Sequence, residues 1–100
     1  MSKVISVAGK EYLVRYPVGA LIKAEAHLGK PMSEVPKTTL TYKDMAIITR
    51  YGLHNLDGVP ISDKDFESLL DNTSVEEFGE LFTVVVSEFA PPDTEQTGKN

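Results

Sequence analysis

The chain has 100 residues, of which 41% are apolar and 25% are charged, and it contains no cysteine. This size and composition are typical of one small globular domain, and the lack of cysteine excludes a disulfide scaffold and a thiolate metal site. No apolar run approaches the roughly 18 residues of a membrane-spanning helix, and the first ten residues do not form a signal peptide. We therefore expect a cytoplasmic protein with one domain over residues 1–90 and a disordered polar tail over residues 91–100.

The net charge of −5 is unevenly distributed along the chain. Residues 1–50 contain eight basic and four acidic side chains, whereas residues 51–100 contain two basic and eleven acidic side chains. Halves of opposite charge can attract a second copy head to tail, which makes self-association possible. Segregation of this kind also arises by chance in a short chain, and the sequence leaves both interpretations open.

The first elements are a β-hairpin and a helix. Alternating apolar residues in KVISVAGKEYLVRY predict two strands over residues 3–16, with a turn at Gly9. Helical spacing predicts the first helix over residues 17–29, and its buried face is expected to contain Val18, Leu21, Ile22 and Leu28, with Glu25 as its polar member.

The stretch HLGKP, residues 27–31, carries the Gly-Lys pair found in many phosphate-binding loops. Such a loop needs a preceding strand and a helix that begins after the lysine. Here the pair follows a helix, whose C-terminal end repels phosphate, and proline prevents continuation. HLGKP is therefore interpreted as a helix stop, with Gly29 as the terminating residue.

Three further helices are predicted. They cover residues 40–56, 62–72 and 74–89, with Thr41, Ser62 and Ser74 as capping residues. The last helix contains three consecutive valines, which favour a strand locally, but its continuous apolar face favours a helix. The predicted fold is thus mainly α with an N-terminal β-hairpin (α+β), a small single-domain bundle of about four short helices.

No combination of residues indicates catalysis, a metal or a cofactor. The two histidines are too few for a metal site, and the serines form no nucleophile elbow or triad pattern. The acidic stretch ISDKDFE lacks the central glycine and distal glutamate of a calcium loop. Basic residues are dispersed and the third helix is acidic, so nucleic-acid binding is not expected.

An interaction protein remains. The last helix carries apolar residues around much of its circumference, and the surplus beyond one core-facing stripe would suit a partner helix. Packing of the hairpin on the second face is an equally good explanation. The candidate protein-binding residues are Phe78, Phe82, Val85 and Phe89.

The order of these segments resembles the small tail assembly chaperones of long-tailed, siphovirus-like bacteriophages and of prophages of Gram-positive bacteria. The residues that carry the resemblance are VISVAGKEYLVRY, ALIKAEAHLGKPMSEV, LTYKDMAIITRYGL, DGVPISDKDFESLLDN and SVEEFGELFTVVVSEF, which span residues 4–89. The shared features are structural: a hairpin of the GKEY type, a helix ending in LGK, a capped second helix, a short acidic helix and a last amphipathic helix.

The resemblance implies a non-enzymatic role without cofactors. Members of this family bind the helical tape measure protein before tail assembly, keep it soluble, help to recruit tail tube subunits, and are absent from the mature virion. A longer form made by translational frameshift can contact the tail tube protein, and this chain would correspond to the short form. The alternatives are a structural virion protein, such as a tail-completion or head–tail connector protein, and a small regulatory protein of a mobile element.

Overall fold

The computed structural model describes residues 3–37 and 39–90. The predicted tail over residues 91–100 lies outside the described residues. The hairpin and the four helices follow the predicted order, and a 3-10 helix and a third strand are added to them. The elements are β1 (Lys3–Val7), β2 (Lys10–Val14), α1 (Val18–Leu28), a 3-10 helix (Met32–Lys37), α2 (Tyr42–Gly52), β3 (Leu53–His54), α3 (Asp63–Asp71) and α4 (Val75–Ser87). The predicted α+β class is confirmed, and α4 is helical through its valine run.

β1 and β2 form the predicted antiparallel hairpin, in which Ile5 lies opposite Tyr12 and Val7 lies opposite Lys10. The turn has two residues, Ala8 and Gly9, with φ values of 51° and 82°. Two consecutive positive φ angles are the geometry of a type I′ turn, whose twist matches that of the strands. The hairpin turns one face, with Val7 and Tyr12, into the core.

α1 is rotated relative to the predicted orientation. Val18 and Ile22 were expected to be buried, but they are 70% and 61% exposed. Ala24 is fully buried instead, and α2 is the helix against which α1 packs most extensively. A methyl side chain allows the two helix axes to approach closely, which a larger residue at this position would prevent.

The predicted helix stop at HLGKP is confirmed. Gly29 has a left-handed φ of 81° and donates its N–H to the carbonyl of Glu25 at 2.8 Å. Beyond the stop, the Glu25 carboxylate accepts the backbone N–H of Met32 at 2.9 Å. Lys30 lies 3.5 Å from Asp44 at the beginning of α2. These two contacts attach the segment after α1 to both neighbouring helices.

The second helix is shorter than predicted, because α2 ends at Gly52 rather than near residue 56. Leu53 and His54 form a third strand that pairs with Val14 and Leu13 of β2, which gives the sheet order β1-β2-β3. Gly52 fits tightly: a Cβ added there would lie 2.8 Å from a ring carbon of Tyr16. The carbonyl of Gly52 also accepts the N–H of Arg15 at 3.0 Å, which draws the chain into the sheet.

The core lies between the sheet and the helices. Its fully buried large side chains come from α2, β2, β3 and α4, and they are Ile48, Val14, Leu53 and Val85. Among the described residues, no helix has the length and apolar content needed to cross a membrane.

Candidate protein-binding groove

The predicted contact residues of α4 do not form one exposed face. Phe78 and Val85 are buried, and Phe82 and Phe89 are half-buried against the core. The ring of Phe89 packs edge-on against Tyr16, with centroids 4.9 Å apart. Most of the apolar circumference of α4 is therefore used inside the domain. Of the four residues, Phe78 lines an open groove.

This groove, which we call the α2–α4 groove, has a volume of about 210 Å³. Tyr42 and Val75 stand on its rim and are 62% and 69% exposed. Phe78 lies inside it, and the rings of Tyr42 and Phe78 are 6.4 Å apart at their centroids. The other lining residues are Ala46, Leu70, Thr73 and Ser74. Apolar surface of this kind, exposed on two sides of a concavity, is typical of a protein-binding site.

Helix capping places the two rim residues. The Thr41 hydroxyl accepts the N–H of Asp44 at 3.1 Å, which fixes Tyr42 as the first residue of α2. In the same way the Ser74 hydroxyl accepts the N–H of Glu77 at 3.1 Å, which fixes Val75 as the first residue of α4. The groove thus lies between two helix N-termini whose starting points are set by local sequence.

The two caps differ in strength. At Ser74 the Glu77 carboxylate returns the interaction by accepting the Ser74 N–H at 2.9 Å, which completes a capping box. Asp44 does not do this for Thr41, since its carboxylate lies beside Lys30 instead. The Thr41 cap therefore has only one of the two hydrogen bonds of a capping box. The α4 side of the groove is the more firmly fixed of the two.

A second cleft, of about 340 Å³, lies between α1 and the α2–β3 junction and has Lys23, Arg50 and Tyr51 among its lining residues. Arg50 is already engaged, because it pairs with Asp63 and its guanidinium lies 5.0 Å above the ring of Tyr51. The cleft is therefore crossed by internal interactions, whereas the α2–α4 groove contains no charged side chain among its lining residues.

His54 also borders the second cleft and is 5% exposed. Burial lowers the pKa of its imidazole, and the positive charge of Arg15 acts in the same direction, while hydrogen bonding to the backbone at Gly52 and Leu13 opposes both. Its Nδ1 has no hydrogen-bond partner within residues 3–37 and 39–90. A neutral, buried imidazole on a two-residue strand contributes to packing between the sheet and the Asn55–Pro60 turn.

No group of three or more His, Cys, Asp or Glu side chains that could hold a metal ion occurs among the described residues. Tyr16, the most strongly perturbed titratable group, has its phenol pKa raised by burial, and this phenol is bonded to the backbone rather than directed to an open cleft. Among the described residues, the surface best suited to binding is therefore the α2–α4 groove, through apolar contacts.

The rim residues were not singled out from the sequence. Both Tyr42 and Val75 are large apolar residues that directly follow a capping residue and lie outside the core-facing stripe of their helix. An apolar residue at the first helical position need not pack in the core, so Tyr42, Val75 and also Val18 could have been marked as exposed apolar positions. What the sequence could not supply is that the two helix starts lie side by side.

No protein-family model, no curated protein and no solved structure matches this chain.

Proposed function

We propose that this protein is a bacteriophage tail assembly chaperone that binds the helical tape measure protein through the α2–α4 groove. It would act in the cytoplasm of the bacterial host, without catalysis or a cofactor. The carrying observation is the exposed apolar rim of Tyr42 and Val75 around the ring of Phe78.

The groove suits one side of an amphipathic helix. Such a helix presents apolar side chains at intervals of three and four residues, and these can enter a shallow apolar concavity flanked by aromatic and branched side chains. Tyr42 is a favourable contact residue, because its ring buries a large area and fixes few torsions on binding. At about 210 Å³ the groove takes one or two client side chains, so several copies would be needed along a long client.

The order of the elements supports the same proposal. A hairpin, a helix ended by Gly29, a capped second helix, a short acidic helix and a last amphipathic helix follow one another as in the family that the sequence resembles. These elements are structural features and not binding residues. They therefore support the family resemblance, and the identity of the bound protein is tested by experiment. Recruitment of tail tube subunits, through this chain or a frameshift-extended form, is part of the proposal.

The direct experiment is co-expression with the longest helical protein encoded nearby, followed by affinity purification and sizing. We expect the two proteins to elute together and the large protein to precipitate when expressed alone. Val75→Asp should abolish co-elution, because it places a charge on the apolar rim, while the exposed position of Val75 preserves the fold.

α1 offers a closely matched control. Val18 is the first residue of α1 and is 70% exposed, while Val75 is the first residue of α4 and is 69% exposed. Val18→Asp therefore changes the same residue type at the same helical position, away from the groove. Equal loss of co-elution in both variants, or retention in both, would contradict a role for the α2–α4 groove.

Purified phage particles test the alternative of a structural virion protein. A chaperone is absent from the finished particle, whereas a tail-completion or connector protein remains in it. We expect mass spectrometry of purified particles to detect the tube protein and not this chain. Its detection at a stoichiometry comparable to that of known tail subunits would instead identify a structural virion protein.

A further inference from the structure

The outer edge of the sheet is open, and we infer that it is a self-association surface on which β1 pairs with β1 of a second copy. The sheet order β1-β2-β3 leaves one side of β1 without a neighbouring strand in the described part of the chain. This inference is independent of the proposed function, because it rests on the sheet edge and not on the α2–α4 groove.

The register of the hairpin determines which backbone groups are available. A two-residue turn makes Val7–Lys10 a hydrogen-bonded pair, and the bonded pairs then recur at every second position along the strand. Val4 and Ser6 lie between these pairs and direct their N–H and C=O groups to the open edge. Such a row of unpaired backbone groups is a template for another strand.

Antiparallel pairing of two β1 strands uses all of these groups in one register. With Ile5 opposite Ile5 of the copy, Val4 pairs with Ser6 of the copy and Ser6 pairs with Val4, which gives four backbone hydrogen bonds around a two-fold axis. A register centred on Val4 or on Ser6 would bring only one such pair together within the described strand. The Ile5-centred register is therefore favoured.

The distribution of charge favours a second copy of the chain as the partner that pairs with the open edge of β1. Lys3, Ile5 and Val7 share the core-side face of the strand, and beside this face lies a groove of about 340 Å³ whose other lining residues include Leu81, Val84 and the acidic residues Glu77 and Glu80. In the Ile5-centred register, Lys3 of the copy lies opposite Val7, on the side of the sheet that faces this groove. The basic first half of the chain thereby meets its acidic second half.

The absence of cysteine from the sequence makes the register directly measurable. In this register Ile5 lies opposite Ile5 of the second copy in a non-hydrogen-bonded pair. The two Cβ atoms of such a pair lie close enough for a disulfide when both residues are cysteine. We expect Ile5→Cys to form a disulfide-linked dimer on mild oxidation with diamide. Val4→Cys is the control, because Val4 lies opposite Ser6 of the copy and its thiols would be diagonal to each other.

Sedimentation equilibrium tests the unmodified protein. At concentrations up to about 1 mM, we expect the average mass to rise from 11.0 kDa towards twice that value. Ser6→Pro removes an outward N–H that the hairpin does not use and should weaken dimerisation by at least about tenfold, whereas Ser6→Ala should not.

Charge reversal supplies a rescue experiment. Lys3→Glu or Glu80→Lys alone should weaken the dimer by roughly three- to tenfold, since each change acts twice across the two-fold axis. Combining them should restore most of the loss. A wild-type chain that remains at 11.0 kDa, equal cross-linking of Val4→Cys and Ile5→Cys, or no restoration in the double variant would each overturn the inference.

Discussion

The phenol of Tyr16 donates a hydrogen bond to the backbone carbonyl of Ile48 at 2.6 Å, inside the core. Tyr16 lies between β2 and α1, whereas Ile48 lies in the middle of α2. The bond therefore fixes the end of the hairpin against the central helix. Burial raises the pKa of this phenol, which keeps it protonated and able to donate.

Tyr16→Phe should lower the free energy of unfolding by about 1 kcal/mol, because it removes this hydrogen bond while the ring can stay in place. Urea denaturation followed by circular dichroism measures the change. Tyr51→Phe is the matched control, since the Tyr51 hydroxyl makes its contacts with His27 and Arg50 outside the core. A larger loss for Tyr51→Phe than for Tyr16→Phe would contradict this assignment.

Gly52→Ala should destabilise the protein by about 1–3 kcal/mol, since the added methyl group would overpack a filled site. The new Cβ would lie 2.8 Å from Cε2 of Tyr16 and 2.9 Å from Cγ1 of Val85. Gly79→Ala is the control, because a Cβ at this position in α4 meets nothing within 4 Å. It should stabilise the helix by up to about 1 kcal/mol. Thermal melts of the two variants should therefore shift in opposite directions.

Ala8→Asn should stabilise the hairpin turn by several tenths of a kcal/mol. Ala8 has a φ of 51°, a conformation that asparagine adopts more readily than alanine, and Asn-Gly is the preferred pair in a type I′ turn. Gly9→Ala should have the opposite effect, because Gly9 has a φ of 82°. Urea midpoints test both, and a stabilising Gly9→Ala would show that the turn has a different geometry.

We expect the burial of His54 to make the protein less stable in mild acid. Its pKa is lowered in the folded state, so between the folded value and the ordinary value of 6.5 the unfolded chain binds more protons. The contribution of neutral His54 to the free energy of unfolding is therefore fully present above pH 6.5 and is lost as the pH falls towards the pKa of His54 in the folded state.

Urea denaturation at about pH 7.5 and about pH 5.5 brackets the ordinary histidine pKa and measures this term. We expect His54→Leu to be less sensitive to the pH change than the wild-type protein. If the free energy of unfolding changed equally between the two pH values in the wild-type protein and in His54→Leu, the assignment to His54 would be contradicted.

Local signals predicted the starts of α2, α3 and α4 and the end of α1 correctly. The hydroxyls of Thr41, Ser62 and Ser74 each accept the N–H three residues later, as a capping residue should, and Gly29 ends α1 with a left-handed φ. These features depend on residues within one helical turn of each other. Sequence is sufficient for them because no distant part of the chain is involved.

Tertiary packing decided what the sequence could not. The rotation of α1, which exposes Val18 and Ile22 and buries Ala24, depends on how α1 packs against α2. The end of α2 follows from the fit of Gly52 against Tyr16, and β3 has only two residues, too few for a periodic signal. The groove at Tyr42 and Val75 exists because two helix starts lie together, although they are far apart in the sequence.

β3 also has a consequence for how the chain folds as it is made. The hairpin consists of neighbouring residues, but its third strand is encoded roughly forty residues later, so this pairing has a high contact order. A two-stranded hairpin is marginal in water by itself. During synthesis the hairpin therefore lacks its third strand until Leu53 and His54 have left the ribosome, and we expect the sheet to become stable only then. A chain truncated within α2 should accordingly be degraded rapidly, whereas one that extends past β3 and α4 should persist.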